Sequence, residues 1–373
     1  MSKFSMINGA EKEKHVIVPV DRSGTIPLAF RIYDATEITV SKTVNRLHQH
    51  DFYQCTNLKK INLPDSIESI EDMSIYSCRK LIEINVDPNN RFFCSIDGNL
   101  YTRDQKTLLR YAEAKPDVSF TVPNTVTKIG AHAFFDAVHL ESIILPQGLT
   151  EIEKSAFNHC ASLKSITIPQ GVKTLSKNSF YRCLSLAEVR LHGKVERIEE
   201  QALGVCDSLV NITLPKSIVH IGEEAFYNCK LLERVDMPEC TANFGKKVFD
   251  ECSRLEKITA PLQTLFRFAE NNSFPTAIRS LLRSWFAEDN ENTLSDEQLN
   301  KLTDFTTDIC NYSLHDVIST NSFIEFAINT RILKTDAAEL LLSLCKSTEL
   351  RSILLNYINE TNSYNDNFDN YKI

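Results

Sequence analysis

Several signatures of chemistry are missing from this 373-residue chain, which holds only ten glycines and a single tryptophan, Trp285. No G-x-x-x-x-G-K-[ST] or G-x-G-x-x-G loop occurs to cradle a phosphate, no G-x-S-x-G elbow to raise a nucleophile, and no H-E-x-x-H helix to hold zinc. There is no C-x-x-C pair either, and His48-x-His50, near Cys55, sits in a polar stretch that reads as a solvated pair. The expectation is a protein that is not an enzyme, with no catalytic, cofactor-binding or metal site.

A surplus of positive charge is also lacking. The formal net charge is −8, and residues 258–373 hold nine Lys/Arg against sixteen Asp/Glu, so the rest is nearly neutral. A nucleic-acid binder would need a basic stripe, which neither half supplies. No apolar run approaches the length of a membrane span, and Met1 to Lys14 carries no secretory leader. The expected compartment is the cytoplasm, or the cell surface or exterior if a leader was removed, and the expected state is a monomer.

What is present is a repeat. The sequence matches itself at a period of 23 residues, inside the range of leucine-rich repeats. Units begin at Ile38, Ile61, Ile84, Phe120, Ile143, Ile166, Val189, Ile212 and Val235, with a degenerate one at Val16 and a fading one at Ile258. Positions one and three of each unit, such as Ile166 and Ile168, alternate with an outward residue, as in a short strand with one buried face. Proline then ends the strand, as at Pro146, Pro169 and Pro215, because it offers no N–H to a ladder. An apolar pair such as Val172 and Leu175 predicts a second extended segment. The column Phe52, Phe134, Phe157, Phe180, Phe226 and Phe249 predicts an interior plug, with Ala133, Ala156 or Ala225 before it letting a short helical turn lie close. Stacked coils of this kind bury a core that no single unit can bury.

Eleven cysteines would ordinarily suggest bridges or metal, but Cys55, Cys78, Cys160, Cys183, Cys206, Cys229 and Cys252 share one repeat column. That spacing reads as a buried ladder of reduced thiols acting as small apolar residues, since side chains stacked in parallel do not face one another as a disulfide requires.

The unit at 84–119 is 13 residues too long. Its Asp97-Gly98 is a two-residue hairpin signal, and Arg103-Asp104-Gln105 offers a second reversal. The reading is an antiparallel island at about 87–115, protruding from the solenoid.

The Ala-Phe-x-x-Cys core and the inserted Asn89-Asn90, Phe92 or Phe93, Asp97-Gly98 and Leu100-Tyr101 resemble the BspA-like, or treponemal-type, leucine-rich repeats of host-associated bacteria and some protozoa. The likeness runs from about Val16 to Pro261. It implies an α/β fold, a leucine-rich-repeat solenoid in the form of a curved β/α superhelix, used in adhesion or protein–protein contact and often placed on a cell surface.

The domain organisation expected is a flexible start at 1–15, the solenoid at 16–261, a smaller all-α region at 262–360 and a disordered tail at 361–373. Beyond Pro261 helical spacing replaces the repeat, with candidate helices at about 276–287, 295–311, 313–329, 335–346 and 347–359. Ser295-Asp296-Glu297-Gln298 fits a capping box for the second of these. A cap over the last coil is the expected role, a second docking module the alternative.

Function is then a matter of surface. Outward strand positions form a column that includes Asn62, Asn85, Thr167, Arg190, Thr213 and Asp236, and rigid parallel strands preorganise many weak contacts. Tyr101, Arg103 and Tyr111 of the island are the alternative contacts. The reading is a non-catalytic scaffold that binds a protein partner through the repeat surface, with a surface-exposed adhesin for host or extracellular-matrix proteins as the alternative and, in another class, an enzyme with no recognisable motif as the third.

Overall fold

The structure is a computed structural model that describes residues 15–18, 34–192, 194–237, 243–255, 257–259 and 351–359, together with 339, 342 and 348. The chain divides into two compact units, Met1–Leu209 and Val210–Ile373.

In the first unit the strands are β1 His15–Val18, β2 Glu37–Val40, β3 Arg46–Leu47, β4 Lys60–Leu63, β5 Ser69–Ile70, β6 Glu83–Val86, β7 Phe93–Ile96, β8 Asn99–Thr102, β9 Thr107–Arg110, β10 Ser119–Thr121, β11 Lys128–Ile129, β12 Ser142–Ile144, β13 Glu151–Ile152, β14 Ser165–Ile168, β15 Thr174–Leu175, β16 Glu188–Leu191 and β17 Arg197–Ile198. Each coil gives one longer strand to a first sheet and one two-residue strand to a second. The longer strands form two parallel sheets, β1-β2-β4-β6 and β10-β12-β14-β16. Their register is the sequence period itself, Ile38 beside Ile61 beside Ile84, and Ile166 beside Val189. Alternation does what the pattern requires: Ile166 and Ile168 are buried while Ser165 and Thr167 are exposed. The second unit repeats this with β18 Asn211–Thr213, β20 Arg234–Asp236 and β22 Lys257–Thr259 in one parallel sheet, and with β19 His220–Ile221 paired to β21 Asn243–Phe244.

Proline does more than stop a strand. The carbonyls of Pro64, Pro123, Pro146 and Pro169 accept the N–H three residues on, from Ile67, Val126, Leu149 and Val172, closing the turn into the second strand.

The Ala-Phe segment corrects the expected helical turn and with it the β/α form of the coil. It is a left-handed turn: Ser155 and His159 flank Phe157 at φ 54° and 64°, and Asn178 and Arg182 flank Phe180 at 56° and 61°. Two such residues four apart break any helical run. N–H groups alternate in their use: those of Ser155, Phe157 and His159 reach Lys177, Ser179 and Tyr181 of the next coil, while those of Ala156, Asn158 and Cys160 close turns on Glu153, Ser155 and Phe157. The ladder between coils offsets the roughly 1–3 kcal/mol that each strained residue costs.

Inside, the phenylalanine column is a stack. Phe134 and Phe157 lie 4.9 Å apart at 12°, and Phe157 and Phe180 5.0 Å apart at 5°. In the second unit Phe226 and Phe249 stack at 5.1 Å. None of the eight described cysteines forms a disulfide, and the seven of the column are buried. Five of these thiols donate backward to the plug carbonyl one coil earlier, among them Cys160 to Phe134 at 3.1 Å and Cys183 to Phe157 at 3.2 Å. Burial pushes both thiols well above their ordinary range, which keeps them protonated as donors.

Residues 351–359 form a helix with Leu354, Tyr357 and Ile358 buried, within the candidate at 347–359. The first fourteen residues, the tail after 360 and the candidates at 276–287, 295–311 and 313–329 lie outside the described residues, as does nearly all of 335–346.

Candidate binding surface and the inserted coil

The inserted coil forms the expected hairpins, with Asp97 and Gly98 at φ 49° and 70° in the turn joining antiparallel β7 and β8, and β9 antiparallel to β8. It does not stand apart from the solenoid. Strand β9 pairs in parallel with β11, so the second sheet runs β13-β11-β9-β8-β7. The hairpin tip also closes on β6, where the Ile84 N–H donates to the Gly98 carbonyl at 2.8 Å. Asn90, 1% exposed, fastens the insertion to the preceding coil. Its Nδ2 donates to the carbonyls of Pro64 and Ile67, and its Oδ1 accepts from the N–H groups of Phe92 and Phe93.

Two expected contact residues are corrected here. Tyr101 is wholly buried, because β8 is the middle strand of β7-β8-β9 and Asn99, Leu100 and Tyr101 are all covered. Tyr111 is buried as well, and it is the missing plug. It lies one repeat length before Phe134, stacks on that ring at 5.3 Å, and its N–H reaches the Ala133 carbonyl as a plug residue's should. Arg103 remains exposed on the β8–β9 loop.

On the solvent side of β2, β4 and β6, Asn62 and Asn85 are brought together. Asn85 Nδ2 donates to Asn62 Oδ1 at 3.1 Å, while Asn62 Nδ2 donates to Glu37 Oε1 at 2.8 Å and Thr39 Oγ1 at 3.1 Å. Thr39, Asn62 and Asn85 border a shallow groove of about 330 Å³ that also takes in Pro64 and Pro88. Thr167 and Arg190 lie side by side on β14 and β16, both exposed, with Arg190 paired to Glu188 at 2.6 Å. Next in that column, Ile144 is 56% exposed. Thr213 and Asp236 are neighbours on β18 and β20 of the second unit, and Asp236 holds Arg234 at 2.8 Å. Most charges on this side thus answer one another across or along strands, as in Lys60–Glu83 at 3.4 Å.

Sequence reasoning missed a second surface. Tyr53, Tyr76 and Phe135, each half-buried and each just after a plug position, form a chain of rings on the turn edge, 5.6 Å and 4.4 Å between centroids. The signal was their shared place in the repeat. Beside them Asp72 reaches past the inserted coil to His132 Nδ1 and Lys154 Nζ, both at 2.8 Å, and these bonds hold its carboxyl well below the usual range. A cleft of about 210 Å³ opens there among Ile70, Asp72, Leu100, Leu109, Arg110 and His132. Among the described residues no group of three or more His, Cys, Asp or Glu could hold a metal ion. No helix among them is long and apolar enough to cross a membrane.

A family model for the "BspA type Leucine rich repeat region" matches six copies, over residues 27–102, 113–204 and 173–282, about two thirds of the chain. The chain belongs to the BspA-type leucine-rich-repeat family. Among solved structures it is similar to a leucine-rich repeat protein from Eubacterium ventriosum, at 21% identity over 61% of this chain and 73% of that one, with a TM-score of 0.51. It is similar too to a leucine-rich repeat protein from Bacteroides ovatus, at 24% identity over 68% and 65% and a TM-score of 0.48. A third, a leucine rich cell surface protein from Faecalibacterium prausnitzii, shows 22% identity over 62% of each chain and a TM-score of 0.45. The match thus spans under two thirds of the last two proteins. At these identities the likeness speaks to the fold alone. A comparison with curated protein sequences found no match.

Proposed function

We propose that this BspA-type repeat protein is a non-catalytic scaffold that binds a protein partner through the solvent side of its longer strands. The observation that carries the reading is the side-by-side placement of Asn62 with Asn85 and of Thr167 with Arg190 on in-register parallel strands. Such strands hold contact groups at fixed spacing, so little ordering entropy is lost when a partner binds. With the charges largely paired among themselves, the uncharged groups that stand most open to a partner are Thr167 and the exposed side chain of Ile144, while the bonded Asn62–Asn85 amides give the partner a fixed polar edge. In the second unit Thr213 and Asp236 occupy the same repeat position and extend the proposal there. Arg103 is retained as an exposed contact, and Tyr101 and Tyr111 are set aside as buried.

The test is site-specific photocrosslinking of the full chain in its native extract. A photoreactive residue at Ile144 or Arg190 should give partner adducts, and one at Glu151 or Thr174, on the second-sheet strands β13 and β15, should give few. Adducts confined to the second-sheet positions would overturn the assignment.

A further inference from the structure

The inserted coil is stitched to both neighbours through one short segment. There the Arg110 guanidinium donates to the His132 carbonyl at 2.6 Å, Tyr111 N–H reaches Ala133, Ala112 N–H reaches Asn99 Oδ1, and Ala114 N–H reaches the Leu81 carbonyl. In the same segment Arg110 and Glu113 form an ion pair with side chains 6% and 1% exposed. The pair is incompletely satisfied: Arg110 Nε and Glu113 Oε1 are buried with no hydrogen-bond partner.

A second carboxylate shares this interior. Asp136, on the turn of the following coil and 7% exposed at its side chain, raises the proton affinity of Glu113 while contacting His159 Nδ1 on its other side. Arg79, exposed on the preceding coil, opposes it. Other titratable groups around the pair are His132, whose carbonyl takes the Arg110 bond and whose ring is held by Asp72, and Tyr76 and the thiols of Cys78 and Cys160, the last three held neutral with burial as the chief or a contributing cause. The interior therefore holds two carboxylates, Glu113 paired with Arg110 and Asp136 in contact with His159, and burying the second anion without a full partner set is costly.

We infer that Glu113 is a buried proton-binding site that sets, by its ionisation, how tightly the inserted coil is held to its neighbours. With a proton on Glu113, Asp136 no longer faces a second anion and Arg110 keeps its bond to the His132 carbonyl. With the proton gone, two anions compete and the joint at 110–114 is weakened. Desolvation lifts the Glu113 carboxyl from 4.5 to about 7, the Arg110 charge opposing that rise and Asp136 adding to it. A group whose folded value is raised gives stability that is complete below its unfolded value and is lost as pH climbs through the folded one. The joint should therefore open more readily as pH rises from about 4.5 to about 7, by up to about tenfold per pH unit, and be level above that.

The test is a carbon NMR titration of the Glu113 carboxyl in the full chain, joined to hydrogen exchange at the amides of Tyr111, Ala112 and Ala114 between pH 5 and 8, corrected for intrinsic rates. The expected results are a midpoint near 7, an opening constant that rises with it, a lower midpoint in Asp136→Asn, and loss of the pH dependence in Glu113→Gln. A wild-type midpoint at or below 4.5 would overturn the inference without recourse to any variant. So would a pH-dependent opening that persists in Glu113→Gln, and an unmoved midpoint in Asp136→Asn would refute the shared-charge account.

Discussion

Single residues in this protein carry costs that depend on their place in the coil more than on their type. Asn90 uses both ends of its amide on backbone groups of two segments, so Asn90→Ala removes hydrogen bonds and leaves buried donors and acceptors unmatched. The expected loss is about 2–4 kcal/mol, read as a lower midpoint in urea unfolding. Ser179 stands where other coils have alanine, fully buried, and its hydroxyl has no partner. Ser179→Ala should stabilise by about 1 kcal/mol. Val205 is a β-branched residue at φ 56°, where the equivalent positions hold His159, Arg182 and Asn228. Val205→Asn should raise the melting temperature, through relief of about 1 kcal/mol of backbone strain. A fall would mean that its partly buried methyl groups outweigh the strain.

At the scale of elements, the β7–β8 turn decides whether the insertion is absorbed. Gly98 has φ 70°, and a Cβ there would come within 3.3 Å of the Glu83 backbone. Gly98→Ala should therefore cost about 1–2 kcal/mol and selectively raise exchange at Ile84, whose N–H depends on the Gly98 carbonyl. Uniform loss of protection across the unit would instead point to a general effect. The insertion also explains why the second sheet breaks between β5 and β9, since β9 joins β11 while β5 pairs only with β3. The Asp72 clamp to His132 and Lys154 spans that break.

For the whole molecule, the thiol column makes a redox-silent interior. The thiols of Cys78, Cys160, Cys183, Cys206 and Cys252 each give their hydrogen to a plug carbonyl one coil back, as Cys78 does to Phe52 and Cys252 to Phe226. Protein denatured without reductant should then titrate at least the eight thiols that form no disulfide in the fold. Fewer than seven would show that column cysteines are bridged. Among the described cysteines, slow reaction of the native protein with an aromatic disulfide reagent, faster only at the half-buried Cys94, is the matching native-state expectation.

The sequence by itself determined the coil: its period, the buried alternation of Ile166 and Ile168, the phenylalanine column and the hairpin at Asp97-Gly98, because each depends on local spacing and turn chemistry. Even the plug of the long unit was written there, since Tyr111 stands one repeat before Phe134, but a 13-residue insertion hid the register. Tertiary structure decided what spacing cannot encode. It covered Tyr101 by making β8 a central strand, and it exchanged a helical turn for left-handed residues because their N–H groups are answered by the next coil. It also enclosed Arg110, Glu113 and Asp136 together, since proximity between residues 23 or more apart is fixed only when coils stack.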